Sequence, residues 1–140
     1  MSLQLVPYLV MDGNSKEAIE FYEKVFTAEN LGIVKFGDMP QNPDFPIPEE
    51  TKDLIAHATL KVGESILMFS DNFPGQPHQK GNQVTICVST KDTDKSQQLF
   101  EALQVGGQVS MPLQKTDFSP SYGIVTDKFG VTFQIYTESH

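Results

Sequence analysis

The chain has 140 residues, 18 of them Asp or Glu against 10 basic residues, for a formal net charge of -8 at pH 7; with 39% hydrophobic and 20% charged residues it reads as one domain able to bury a core, not a disordered acidic tail. All ten basic residues are lysines, and without arginine's planar fork for phosphates and guanine edges no nucleic acid partner is expected. The lone Cys87 excludes an internal disulfide, a zinc knuckle and a CxxC redox pair, while short apolar runs and the absence of a signal-like N-terminus point away from a membrane and to the cytoplasm.

Residues 3–11 mix aliphatics with Pro7 and Tyr8 and stop at the turn cluster Asp12-Gly13-Asn14, which predicts a strand. Asn14 stands three residues before Glu17, a capping-box spacing, and Ala18, Ile19, Tyr22, Val25 and Phe26 form one face of a helix about three turns long. A short strand is expected over 30–37. Residues 38–53 contain four prolines and the acids Asp44, Glu49, Glu50 and Asp53, which predicts a long loop without regular structure and, for want of ligand spacing, a solvated one. Strands over 54–62 and 65–70 meet at Gly63-Glu64 as a tight hairpin. A second loop covers 71–82, and a half-buried strand covers 83–90, with Val84, Ile86 and Val88 on one face. Asp92 or Thr93 opens a second helix with the apolar face Leu99, Phe100 and Leu103, and Gly106-Gly107 stops it. Strands at about 108–113, 121–126 and 131–137 complete the chain.

This order is strand, helix and three strands, twice over. Sliding by 78 brings Leu99-Phe100 onto Phe21-Tyr22 and Val84, Ile86 and Val88 onto Val6, Tyr8 and Val10, while the ends of the halves match best at 67. The fold class expected is α+β: a single domain, 1–140, of paired βαβββ modules, about 1–78 and 79–140, whose uncovered sheet faces curve around a cleft.

Several stretches carry a family resemblance. Pro7-Tyr8-Leu9, Glu17 to Tyr22 with Val25-Phe26, His57-Ala58 and Leu67 to Asp71 are joined by Gly106-Gly107 with Met111-Pro112-Leu113, and by Tyr122-Gly123 with Asp127 to Val131. Together they resemble the PhnB-like branch of the vicinal oxygen chelate superfamily, which includes glyoxalases, bleomycin and fosfomycin resistance proteins and extradiol dioxygenases. The resemblance implies the paired fold and a homodimer. The methyltransferase label common in this branch is not supported, because no glycine-rich strand–helix turn for adenosylmethionine is present.

Metal-dependent relatives hold a divalent ion with one residue from the first and last strand of each module. Those places fall on Pro7, Thr85, Leu67 and Gln134, a poor donor set, so neither a metal nor another cofactor is expected. His57, Asp71 and His78 are competent ligand types; strand parity groups His57 with Leu67, Phe69 and Asp71, and the simpler reading is a hydrogen-bonded His57, an Asp71 capping its own loop and a solvated His78. Cys87 reads as a packing residue rather than a nucleophile, and Asp127 as a turn residue rather than half of an acid pair with Asp71 or Glu138.

What remains is a mostly apolar, aromatic-edged cleft lined by Pro7, Leu9, His57, Leu67, Phe69, Asp71, Thr85, Cys87, Phe118, Tyr122, Gln134 and Tyr136. The function expected is binding of a small molecule by a metal-free homodimer. The competing readings are a metal-dependent lyase or dioxygenase of glyoxalase type and a purely structural homodimer. Only Lys61 or Lys115 is offered as an anchor for a phosphorylated ligand, as a point charge.

Overall fold

The first strand is shorter than the apolar run that announces it. In a computed structural model, which describes residues 3–41, 43–44, 46–73 and 76–139, β1 covers only Tyr8–Met11. Pro7 has no N–H for a ladder; its carbonyl instead accepts from Met68 N at 3.0 Å, and Leu3 and Leu5 ahead of it stand 89% and 96% exposed. Asn42, Phe45, Pro74 and Gly75, in the two predicted loops, lie outside the described residues.

The chain divides into two units, the first ending at His78 and the second starting at Gln79. In unit 1, β1 is followed by α1 (Ser15–Phe26), β2 (Glu29–Lys35), β3 (Ile55–Val62) and β4 (Ser65–Asp71), in the sheet order β1-β4-β3-β2 with β1 parallel to β4. Unit 2 repeats this with β5 (Ile86–Thr90), α2 (Thr93–Gln104), β6 (Gln108–Gln114), β7 (Tyr122–Thr126) and β8 (Thr132–Thr137), ordered β5-β8-β7-β6 with β5 parallel to β8. Paired βαβββ modules are therefore what the chain forms. The strand expected over 83–90 begins only at Ile86, and Val84 is exposed. Residues 38–53 are not wholly irregular, since a single 3-10 turn forms at Glu49–Thr51 and another at Phe36–Asp38.

In each unit the helix covers one sheet face. On α1, Ser15, Ala18, Ile19 and Tyr22 are buried, and the Tyr22 ring stacks on Phe69 with centroids 5.7 Å apart. Phe69 lies opposite Ala58, and Leu67 opposite Leu60, so these four side chains share the helix-covered face. In unit 2 the equivalent layer is Ser96, Leu99, Phe100 and Leu103 over Gly123, Val125, Phe133 and Ile135. Gly123 is required there, because a Cβ would come within 2.8 Å of the Phe100 ring and 2.9 Å of the Met111 carbonyl.

The ends of α1 are held differently from expectation. Asn14 makes no side-chain cap, and the Asn14–Glu17 capping box does not form. The Asp71 carboxylate takes the cap's place, accepting from Ser15 N at 2.8 Å and from Ile55 N at 2.9 Å. At the other end Thr27 takes the left-handed conformation, φ 50°, with Ala28 N bonded to Glu23 O. In unit 2, Asp92 caps α2 by accepting from Asp94 N, and Ser96 Oγ lies 2.6 Å from both Thr90 Oγ1 and Thr137 Oγ1. The edge strands β2 and β6 carry register breaks, at Asn30/Gly32 and Val34/Lys35 in one and at Val109/Met111 and Met111/Gln114 in the other.

Two substitutions test this account in urea melts. Asp71→Ala strands two backbone donors and should lower stability by about 3 kcal/mol. Thr27→Gly relieves a β-branched residue at positive φ and should raise it by about 1 kcal/mol.

Candidate functional site

Because strand side chains alternate, the face of each sheet opposite its helix carries the residues one step out of phase with the core. In unit 1 that open face includes Tyr8, His57, Thr59 and Met68. Met68 lies between Tyr8 on β1 and Thr59 on β3, and the Tyr8 ring is 5.7 Å from His57. Tyr8 Oη is 3.1 Å from His57 Nδ1, and Thr59 Oγ1 is 3.2 Å from Nε2. The two hydroxyls thus bracket the imidazole, one at each ring nitrogen, with donor and acceptor roles that follow the ring's tautomer.

Parity placed Leu9, Leu67, Phe69 and Asp71 on this open face, and the structure corrects that. Leu67, Phe69 and Asp71 are buried on the helix side, and Leu9 lies beside Phe69 in the parallel ladder. The cause is a one-residue slip. The buried faces match Phe69 with Ile135, and their ladder partners match Leu9 with Val88, so both sliding offsets miss by one. The hairpin held the missing signal: Val62 pairs with Ser65 around Gly63-Glu64, which sets Leu60 against Leu67 and leaves His57 on the opposite side. Pro7 precedes the strand. Thr59 was missed for the same reason, while Tyr8 and Met68 stand one residue along from Pro7 and Leu67, where a one-residue error in the sequence alignment of the halves would put them.

His57 and Asp71 therefore lie on opposite faces of one sheet. Asp71 caps α1 and β3, not its own loop. His78 is not merely solvated, since its Nε2 donates to the Val10 carbonyl at 2.8 Å. Among the described residues no group of three or more His, Cys, Asp or Glu side chains could hold a metal ion.

Unit 2 brings Thr85, Cys87, Gln134, Tyr122, Tyr136 and Phe118 to its open side. Gln134 sits on the central strand β8, beside Cys87 on β5 and Ile124 on β7. Its Oε1 accepts from the Tyr122 hydroxyl, and its Nε2 donates to Thr85 Oγ1 at 3.1 Å. Tyr122 pairs with Tyr136 across the ladder. Phe118, 54% exposed, meets Tyr122 edge-on at 4.9 Å and lies nearly parallel to Tyr136 at 6.4 Å. Asp127 is a turn residue, as expected, accepting from Phe129 N and Val131 N, and Glu138 accepts from Ser89.

This arrangement has relatives. A family model described as 3-demethylubiquinone-9 3-methyltransferase matches residues 3–136. The chain belongs to this PhnB-like family. It is 32% identical to Protein YjdN of Escherichia coli, over 95% of this chain and 94% of that one. Among solved structures, PA1353 from Pseudomonas aeruginosa aligns at 37% identity and a TM-score of 0.88, over 99% of this chain and 100% of that one. A Bacillus cereus structure described as a putative 3-demethylubiquinone-9 3-methyltransferase, PhnB protein, aligns at 22% identity and 0.77, over 96% and 99%. A glyoxylase/bleomycin resistance protein/dioxygenase domain from Frankia sp. aligns at 12% and 0.68, over 99% and 98%, a likeness of fold.

The family description names a methyl transfer, but the strand–helix links of this PhnB-like protein do not suit adenosylmethionine. Asp12-Gly13-Asn14 and Lys91-Asp92 hold one glycine between them, and neither forms the glycine-rich turn that lets a backbone approach a nucleotide. A divalent ion fares no better with the open-face residues of the first and last strands. In unit 1 these are Tyr8 and Met68, a phenol and a thioether; in unit 2 they are Cys87, competent only as the thiolate that its raised pKa disfavours, and Gln134, whose amide is already engaged on both atoms.

Cys87 is exposed, so it is not the packing residue expected; partial desolvation still pushes its thiol above the ordinary value, and its ladder neighbour Gln134 offers no base. The thiolate is the reactive form, so raising the pKa suppresses reaction near neutrality and moves it to higher pH. Alkylation of Cys87 by iodoacetamide at neutral pH should run slower than that of free cysteine and climb as the pH passes the ordinary thiol range. A rate equal to that of free cysteine at neutral pH would contradict this.

Proposed function

We propose that this PhnB-like protein binds a small, mainly apolar aromatic molecule on its open sheet faces, as a homodimer and without a resident divalent ion. The observation that carries the reading is the open face of unit 2, where the mutually packed rings of Phe118, Tyr122 and Tyr136 join the Gln134 amide through the Tyr122 hydroxyl. Aromatic walls with one fixed polar group are the usual make-up of a small-molecule site: the rings supply apolar contact area, and the amide orients what sits against them. The metal-free part rests on the donor chemistry of Tyr8, Met68, Cys87 and Gln134. The homodimer follows the family resemblance and the exposure of apolar Tyr8, Val10 and Val34 in unit 1.

Dialysed against chelator, the protein should still be stabilised by members of a panel of planar aromatic compounds. A ligand at a hundred times its Kd should contribute about 2.7 kcal/mol, a shift of several degrees in Tm. A stoichiometric divalent ion that survives dialysis would overturn the metal-free reading, a panel without effect would overturn aromatic binding, and a monomer mass by light scattering would overturn the homodimer.

A further inference from the structure

A glutamine amide has two N–H donors and two acceptor lone pairs. On Gln134 one of each is used inside the sheet, Oε1 accepting from Tyr122 and Nε2 donating to Thr85. The two partners approach from opposite sides of β8, because Tyr122 opens β7 and Thr85 immediately precedes β5, its neighbour on the other flank. An amide gripped laterally from both sides uses its outer lone pair and its outer N–H. Because a strand side chain stands roughly perpendicular to its sheet, the lone pair and N–H left over are those side by side at its tip, on the side away from the sheet.

Such a tip is an edge with one donor and one acceptor. It complements a group whose own N–H and C=O are held cis, as in a lactam or imide ring. An ionised carboxylate offers acceptors only, so one of its oxygens would meet the free lone pair. On the same face the nearly parallel rings of Phe118 and Tyr136, with Tyr122 edge-on to Phe118, offer apolar contact to a flat ligand. We infer that the open face of unit 2 recognises a planar cyclic amide, a lactam or imide within or fused to an aromatic ring, with Gln134 reading its N–H/C=O edge. This rests on the reading of that face as an aromatic small-molecule site and names the polar group its ligand carries.

The test compares 2-quinolone with N-methyl-2-quinolone by calorimetric titration of the full-length, chelator-dialysed protein. Methylation removes the donor and leaves the ring system, so the methylated compound should bind about ten-fold more weakly. Gln134→Met, which keeps length but has no hydrogen-bonding edge, should bring the two affinities together; a gap that persists in this variant would mean that steric bulk, not the amide, discriminates, and would overturn the inference. Phthalimide and N-methylphthalimide, run on the unsubstituted protein, should show the same order and do not depend on the variant folding. Equal binding of both members of each pair overturns edge recognition and leaves aromatic binding standing. Failure of all four compounds while other planar aromatics stabilise the protein overturns the cyclic-amide class alone, and failure of every aromatic compound overturns both readings.

Discussion

In unit 1 the end of β4, the start of β3 and the first turn of α1 meet at one buried carboxylate. Asp71 accepts from Ser15 N and Ile55 N, so a single side chain decides where the helix begins relative to the two central strands. A carboxylate at a helix N-terminus is favoured by the unpaired N–H groups and the helix dipole. With α1 anchored, Tyr22 falls over Phe69 and the dry face of the sheet is set. The open face follows from it by alternation.

Unit 2 leaves its helix cap to the local Asp92 and makes the link to the strand ends with hydroxyls. Ser96 lies within hydrogen-bonding distance of both Thr90 and Thr137, tying the helix to the ends of β5 and β8 through hydroxyls. Thr137 ends its strand as Asp71 ends its own, and Ser96 is buried on its helix as Ser15 is. The repeat is thus one of position, with the chemistry exchanged. The same holds on the open faces, where a histidine between two hydroxyls in one unit stands against an amide between two hydroxyls in the other.

Much of this was legible beforehand, and the failures have particular causes. Helical periodicity located α1 and α2, turn residues located the hairpin, and the doubling of the element order exposed the modules. Alternation grouped Thr85, Cys87, Gln134 and Tyr136, which do share a face. Unit 1 went wrong because pattern matching tolerates an error of one residue that a strand does not: Val6, Tyr8 and Val10 slide onto Val84, Ile86 and Val88 with good apolar agreement, yet the ladder joins Leu9 to Phe69 and Val88 to Ile135. The helix cap was illegible for another reason. A cap from Asp71 is fifty-six residues away from Ser15 in the chain, and no local motif signals it.

The breaks in β2 and β6 bear on what the molecule avoids. Both strands lie at a sheet edge, and β2 leaves Leu31, Ile33 and Val34 exposed along it. A straight edge of that length and composition would be a template on which further chains could add without limit. Interrupting the ladder twice, and in both repeats of the fold, breaks an open-ended polymerisation surface into short segments on which an added strand cannot stay in register.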